Sequence, residues 1–177
     1  MKLVVTILLL LPYISMIYPQ SDSLPEYVTI IPGERYSANG LHELFFGEHW
    51  RDVWTTPIKV EILNLNEFAG GLTPISKGGG MQTKSLQFKG SDGKIWKFRS
   101  IDKDPSKVLP EELQESIAED LVQDQISSAN PFAPLIVVPL LDAVNVLEAE
   151  PKLVFLPDVE KLGEFRKEFG GMLGFTE

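Results

Sequence analysis

Three consecutive glycines with lysines on either side are the residues whose types and spacing could do chemistry. Gly78, Gly79 and Gly80 lie between Lys77 and Lys84. Glycine backbone takes positive φ and approaches a ligand closely, and its N–H groups can surround an anion such as phosphate. The same residues could equally form a plain connection between two strands. The sequence therefore predicts either a phosphate-binding loop or a turn.

A basic strand and an acidic helix follow the glycines. Lys97 and Arg99 lie in the predicted strand, Lys103 follows its end, and Glu115 and Glu119 lie in the helix. The order of glycine loop, strand, turn, basic strand and acidic helix resembles the small lobe of a protein kinase. A cation of the strand would then contact phosphate, and a glutamate of the helix would hold that cation. A twisted hairpin packed on a helix explains the same pattern without a ligand.

Other chemistries have less support. Lys84 does not follow a glycine, so the Walker A spacing fails, and a strand rather than a helix comes next. His42 and His49 are about 10 Å apart on a regular helix, too far to share one metal ion. No G-x-S-x-G motif occurs. An enzyme that uses Asp102 or Asp104 remains a minor alternative, and we expect no cofactor and no metal.

The elements that must position these residues alternate between strands and helices. Alternating apolar residues predict strands, and apolar residues at helical spacing predict helices. Asp92-Gly93 favours a hairpin turn, whereas residues 68–75 are predicted to be an irregular connection. The predicted strands cover residues 27–31, 58–65, 83–88, 94–101 and 152–156. The predicted helices cover residues 109–130, 139–147 and 162–173, and residues 38–54 are predicted to form one helix or two helical turns. The fold class is α+β, with a small mixed or antiparallel sheet, a hairpin and a packed helix.

Composition limits the function classes. The 177 residues carry a net charge of -9 and are 44% hydrophobic, which fits a chain able to bury a core. An acidic chain without a basic stripe is not expected to bind nucleic acid. The chain has no cysteine, which excludes disulfides and thiolate metal sites.

The N-terminus has the pattern of a signal peptide. Lys2 precedes an apolar run over residues 3–11, and polar residues begin near Ser21. We therefore predict a signal peptide over residues 1–23 and export to the periplasm or cell envelope, with no transmembrane span after cleavage. An uncleaved anchor is the alternative. The remainder divides into an N-terminal strand with an aromatic helical segment (24–57) and a kinase small-lobe-like domain (58–177).

Several motifs resemble the N-terminal region of a poorly characterised family of large exported bacterial envelope proteins. They are FGEHWRDVWTTP at 46–57, FAGGLTP at 68–74, FRSIDKDP at 98–105, VQDQIS at 122–127 and EFRKEFGGM at 164–172. The similarity extends over roughly residues 36–177. It implies a kinase-like continuation, in some members with phosphoesterase or surface-antigen barrel domains. The chain would then be truncated at its C-terminus, without the catalytic Asp and Asn of the large lobe.

The sequence thus predicts an exported domain that binds an anionic or phosphate-bearing ligand, or a partner domain, without catalysis of its own. A structural interaction module of the envelope is one alternative, with Phe45, Phe46, Trp50 and Trp54 against a partner or a missing C-terminal domain. The N-terminal half of a phosphotransferase or phosphoesterase-containing protein is the other. The candidate ligand-binding residues are Gly78, Gly79, Gly80, Lys84, Lys97, Arg99, Lys103 and Glu119.

Overall fold

A computed structural model describes residues 24–80 and 82–177 and shows an α+β fold with two antiparallel sheets. The predicted signal peptide, residues 1–23, lies outside the described residues. The mixed α+β class predicted from the sequence is confirmed.

The first helices lie in the sequence between the two strands of a small sheet. The sheet pairs β1 (Tyr27–Ile30) with β2 (Ile58–Glu61), and Ile30 lies opposite Ile58. Between the strands come a 3-10 turn (Glu34–Tyr36), α1 (Gly40–Phe46) and α2 (Arg51–Thr55). The two predicted parts that meet at residue 57 therefore share this sheet.

Of the two alternatives predicted for residues 38–54, one helix or two helical turns, the structure has two separate helices, because the chain turns between α1 and α2. Gly47 has φ 91° and His49 has φ 54°, and neither value continues a right-handed helix. The side chain of Asn39 caps the start of α1 by accepting a hydrogen bond from the His42 N–H at 2.9 Å. The glycine and the cap together fix a short first helix.

The larger sheet has five strands in the order β3-β4-β5-β7-β6. Its members are β3 (Leu72–Gly78), β4 (Thr83–Gly90), β5 (Ile95–Lys103), β6 (Lys152–Leu156) and β7 (Met172–Thr176). The predicted hairpin is confirmed as β4 and β5. The predicted strand over residues 152–156 is confirmed as β6, whereas β3 was predicted to be irregular.

Three helices connect β5, β6 and β7. α3 (Ile117–Asp124) runs into a 3-10 turn (Gln125–Ser128), and α4 (Ala133–Ala143) follows. α5 (Arg166–Phe169) is a single turn after a 3-10 segment (Glu160–Phe165). The predicted helix over residues 109–130 is thus shortened, and the one over 139–147 begins earlier.

The prediction of a helix over residues 162–173 is wrong at its C-terminal end, where β7 begins. β7 is a central strand between β5 and β6. Gly174 allows this close pairing, because a Cβ atom there would lie 2.3 Å from Arg99 O and 2.4 Å from Phe98 Cζ.

Hydrophobic clusters cover both faces of the five-stranded sheet, since alternate residues of a strand point to opposite faces. One cluster contains Leu63, Leu65, Leu72, Leu86, Phe88, Phe98, Val154, Leu156, Leu162 and Phe169. The other contains Tyr36, Trp54, Val60, Ile101, Leu173 and Phe175. The second cluster packs the first helices onto the sheet, so Trp54 is buried and is not part of an exposed patch.

No single helix in the described part of the chain is long and apolar enough to cross a membrane. The segments Ile117–Ser128 and Ala133–Ala143 pass that test together by length and composition only, with a bend of 41° between them.

Candidate functional site

A cleft of about 520 Å³ lies where the ends of β4 and β5 meet α3 and the turn after β1. Its apolar wall is formed by Ile30, Pro32, Ile101, Met172 and Leu173. Its charged wall is formed by three cations and three carboxylates, Arg35, Lys84, Lys103, Asp102, Asp104 and Glu119. The cleft could therefore receive a molecule with an apolar part and a charged part.

An irregularity in the β4–β5 pairing turns the end of β5 into the cleft. Thr83 pairs with Lys103, but Ser85 pairs with Arg99, so extra β5 residues bulge between the two pairs. Ser100 fills this bulge: its Oγ accepts a hydrogen bond from the Lys84 N–H at 3.2 Å and donates to the Asp102 carbonyl at 2.8 Å. The bulge brings Lys84 and Lys103 to the same cleft.

A hydrogen-bonded network fixes Asp102 in the cleft wall. Tyr36 donates its hydroxyl proton to Asp102 Oδ1, Arg35 forms an ion pair with the same carboxylate, and the Lys103 N–H donates to it at 2.9 Å. Gln123 Nε2 donates to Tyr36 Oη at 2.7 Å and to the Lys103 carbonyl at 3.0 Å. Asp102 is thus already satisfied by its neighbours.

Burial raises the pKa of Tyr36 far above its usual value, and the hydrogen bond to Asp102 raises that pKa further. Tyr36 is therefore a neutral hydrogen-bond donor at every physiological pH. It holds the carboxylate in place and is not available as a base.

Lys84 and Lys103 are the cations of the cleft that pair with no carboxylate among the described residues. By contrast, Arg35 pairs with Asp102, and outside the cleft Lys77 pairs with Glu168. The side chain of Glu119 lines the cleft, but its Oε2 accepts a hydrogen bond from the Glu115 N–H. Both lysines thus line the cleft without an ion pair among the described residues, whereas Glu119 caps the start of its own helix.

The glycine run borders a smaller cavity of about 200 Å³ that shares Lys84 and Asp104 with the cleft. Gly79 has φ 106°, and a Cβ atom there would lie 2.4 Å from Thr83 O. The Oγ of Ser85, which also lines this cavity, is buried without a hydrogen-bond partner. The glycines therefore pack closely on β4, at the edge of the cleft.

The structure brings together part of the candidate set predicted from the sequence. Gly78, Gly79 and Gly80 line the small cavity together with Lys84, and Lys84, Lys103 and Glu119 line the cleft. Lys97 and Arg99 line neither cavity.

Lys97 and Arg99 lie instead beside Glu177. The backbone of Lys97 exchanges two hydrogen bonds with Glu177, at 2.9 Å and 3.0 Å. Arg99 Nε donates to Glu177 Oε1 at 2.7 Å. The cation of β5 that reaches the cleft is therefore Lys103.

Sequence reasoning missed Arg35 and Gln123, which line the cleft, and Tyr36, which holds the cleft residue Asp102 in place. Gln123 could have been found, because it lies one helical turn after Glu119 on the same face of α3. Arg35 and Tyr36 carry no local signal, since their partner Asp102 is more than 60 residues away in the chain.

A second polar contact sets the position of α3. Arg51 donates to both oxygens of Asp124, at 2.8 Å and 2.7 Å, and also to the carbonyl of Tyr36 at 3.2 Å. This guanidinium holds the pKa of Asp124 below its usual range. His42 Nε2 lies 3.2 Å from the same carboxylate. Because Gln123 precedes Asp124 in the chain, the Arg51–Asp124 ion pair also holds Gln123 against the cleft.

Within residues 24–80 and 82–177, no group of three His, Asp or Glu side chains is placed to hold a metal ion. Comparisons with protein-family models, with curated proteins and with solved structures gave no match.

Proposed function

We propose that this chain is an exported, envelope-associated domain that binds a small anionic or phosphate-bearing ligand in the cleft, without catalysis of its own. The observation that carries the proposal is the pair of lysines, Lys84 and Lys103, which line the cleft and form no ion pair with a carboxylate among the described residues. Hydrogen bonds from cations to phosphate oxygens are short and strong, so two of them give a ligand both affinity and orientation.

The carboxylates of the cleft support binding rather than catalysis. Asp102 accepts hydrogen bonds from Tyr36 and from the Lys103 N–H, and Asp104 accepts one from the Ser106 hydroxyl. A general base must be within reach of a substrate proton and have a lone pair ready to accept it. Carboxylates engaged in this way orient the cleft wall instead.

Isothermal titration of the full chain with pyrophosphate, ATP and a sugar phosphate tests this function. We expect at least one of them to bind, and Lys84→Ala and Lys103→Ala each to weaken its binding by about tenfold, the loss of one charge-assisted hydrogen bond. Lys89→Ala is the matched control, because Lys89 is exposed on β4 and does not line the cleft.

Two further variants separate the cleft from the other end of β5. Lys97→Ala and Arg99→Ala should leave the affinity unchanged, because neither residue lines the cleft. The proposal fails if none of the three compounds binds, or if the two lysine variants bind as tightly as the unmodified chain.

The order of elements is what supports a kinase small-lobe-like character for this domain. A glycine run separates two antiparallel strands, a basic strand follows, and α3 precedes two strands that return to the same sheet. Glu119 accepts a hydrogen bond from the Glu115 N–H. In an active kinase the helix glutamate pairs instead with the cation of the strand. The proposed domain therefore binds phosphate without transferring it.

Export is the part of the proposal that rests on residues 1–23. The charged start and short apolar run are those of a signal peptide. Mass spectrometry of protein recovered from the periplasmic fraction should show an N-terminus near residue 23. An intact Met1 in cytoplasmic protein would refute export.

A second candidate function, an interaction module, is favoured by the exposed face of α1. Leu41, Leu44 and Phe45 lie on one face of the helix and are 67%, 77% and 74% exposed. Exposed apolar faces of this kind mark contact sites. Sedimentation of the full chain should then show self-association that Phe45→Ala relieves, whereas a monomer at every concentration would count against self-association through α1.

A further inference from the structure

The whole net charge of the chain lies in one segment, residues 108–151, called here the acidic helical segment. It holds nine Asp and Glu residues and no Lys or Arg. The chain has 25 acidic and 16 basic residues, so the remainder has 25 − 9 = 16 acidic and 16 basic residues and is neutral. The acidic helical segment includes both α3 and α4.

The same segment exposes most of its aliphatic side chains. No residue of α4 is buried. Leu140 is 63% exposed, and Leu147, just after the helix, is 98% exposed. The other exposed aliphatic residues of the segment are Val108, Leu113, Ile117, Leu121, Leu135, Ile136, Val137, Val144 and Val146. A folded chain rarely leaves so many large apolar side chains of one segment exposed to water.

The distribution of these side chains around α4 indicates the shape of what covers them. Successive residues of an α-helix are rotated by about 100°, so Leu135, Ile136 and Val137 together extend over more than half of its circumference. Asp142 is the charged residue within the helix. A flat surface would cover one side only, whereas a groove would enclose the helix.

Charge distinguishes among the occupants that could supply such a surface. A second copy of this chain would bring nine more negative charges to the same place, and an anionic bilayer would also repel the segment. The segment has no Trp, Tyr, Lys or Arg, the residues that anchor helices at a membrane interface. A protein surface with Lys and Arg around an apolar groove complements both properties.

We propose that the acidic helical segment is a docking surface for a partner protein whose apolar groove is edged by lysine and arginine. α4 inserts into the groove, and the acidic residues on either side of α4 face the basic edge. The segment borders the proposed anion site through Glu119 and Gln123 of α3, but α4, the part that inserts into the groove, does not line the cleft.

The test uses the full chain and two synthetic helical peptides, one of leucine and lysine and one of leucine and glutamate. We expect the lysine peptide to bind and the glutamate peptide not to bind. Ile136→Ser and Leu140→Ser should each lower the affinity for the lysine peptide by about tenfold, because each removes apolar area from the contact. Ile95→Ser is the matched control, since Ile95 is equally exposed but lies on β5.

Salt and two other probes complete the test. Raising sodium chloride from about 50 to about 500 mM should lower the affinity for the lysine peptide, because salt screens exposed charges. Equal binding of both peptides, or of the Ile136→Ser and Ile95→Ser variants, would overturn the proposal. Self-association lost in Leu140→Ser would assign the surface to a second copy instead. Flotation with phosphatidylcholine vesicles lost in that variant would assign it to lipid.

Pyrophosphate titration of Leu140→Ser keeps the two proposals apart. Its affinity for pyrophosphate should match that of the unmodified chain, because the cleft does not include α4.

Discussion

The five-stranded sheet and the acidic helical segment differ in how they are stabilised. In the sheet, Leu86, Phe98 and Leu156 are fully buried, and the strands pair along their length. In α4 no residue is buried, although the helix is almost entirely aliphatic. The sheet is thus stable through its own contacts, whereas the helical segment has apolar surface suited to contacts with another molecule.

The cleft lies between these two regions and takes one wall from each. β5 supplies Lys103 and α3 supplies Gln123, and the Gln123 amide donates to the Lys103 carbonyl at 3.0 Å. A rigid sheet edge can therefore orient a ligand while a less buried helix closes the other side. The predictions below test whether the two regions differ as much as this account requires.

The largest difference should appear when the same substitution is made in each region. Leu156→Ala in β6 should lower the free energy of unfolding by about 2–5 kcal/mol, because it removes a fully buried side chain. Leu140→Ala in α4 should change it by less than about 0.5 kcal/mol. Urea denaturation measures both values, and equal losses would contradict the comparison.

Gly174→Ala tests the close contact in the middle of the sheet. The added Cβ would meet Arg99 O at 2.3 Å and Phe98 Cζ at 2.4 Å, so we expect a loss of about 1–3 kcal/mol in unfolding free energy. Gly40→Ala is the control, because a Cβ there has no atom within 4 Å. Thermal unfolding of the two variants compares them, and an unchanged Tm for Gly174→Ala would show that β5 and β7 are not packed this closely.

Asp124→Asn tests the contact that attaches α3 to α2, and its effect should depend on pH. The carboxylate accepts two hydrogen bonds from Arg51, so at pH 7 its loss should lower stability by about 1.5–2 kcal/mol. Because folding lowers the pKa of Asp124, this stabilisation is complete above the pKa of the unfolded carboxyl, about 3.9. It is lost as the pH falls through the lower folded pKa.

Urea midpoints of the two proteins should therefore differ at pH 7 and converge as the pH falls below about 4. Asp120→Asn, an exposed acid of the same helix, is the control and should have little effect at any pH. A constant difference between the Asp124→Asn and unmodified proteins down to pH about 2 would contradict the role of this ion pair.

The smallest effect that we expect to measure is the free energy of locally opening α4. Amide hydrogens of β5 and β7 should exchange only on global unfolding, whereas those of α4 should exchange through openings of about 1 kcal/mol. Hydrogen exchange followed by mass spectrometry measures both. Equal protection in the two regions would mean that α4 is already stabilised within the chain.

Local patterns were sufficient to predict the hairpin but not the sheet around it. Alternating residues on either side of Asp92-Gly93 predict β4 and β5 correctly. β3 contains Pro74, follows two glycines and ends at Gly78, which favours an irregular connection. β7 is five residues long with a central glycine, and its position depends on pairing with β5 and β6.

The candidate site was predictable only where its residues are close in the chain. The glycines and Lys84 were found because they form one motif, and Lys103 because it belongs to the charged cluster at the end of the predicted hairpin. The choice among Lys97, Arg99 and Lys103 depends on the bulge opposite Ser85, which no local pattern indicates. Arg35 and Tyr36 reach Asp102 only after the first helices pack on the sheet.

Titration of the isotope-labelled full chain with pyrophosphate, followed by amide chemical shifts, tests the central claim most directly. The account predicts shifts for the amides of Lys84, Ser100 and Lys103, which line the cleft, and for that of Gln123 across it. The amides of Lys97 and Leu140 should not move. Shifts confined to Lys97 and Arg99, or no shifts at all, would contradict a ligand site in the cleft.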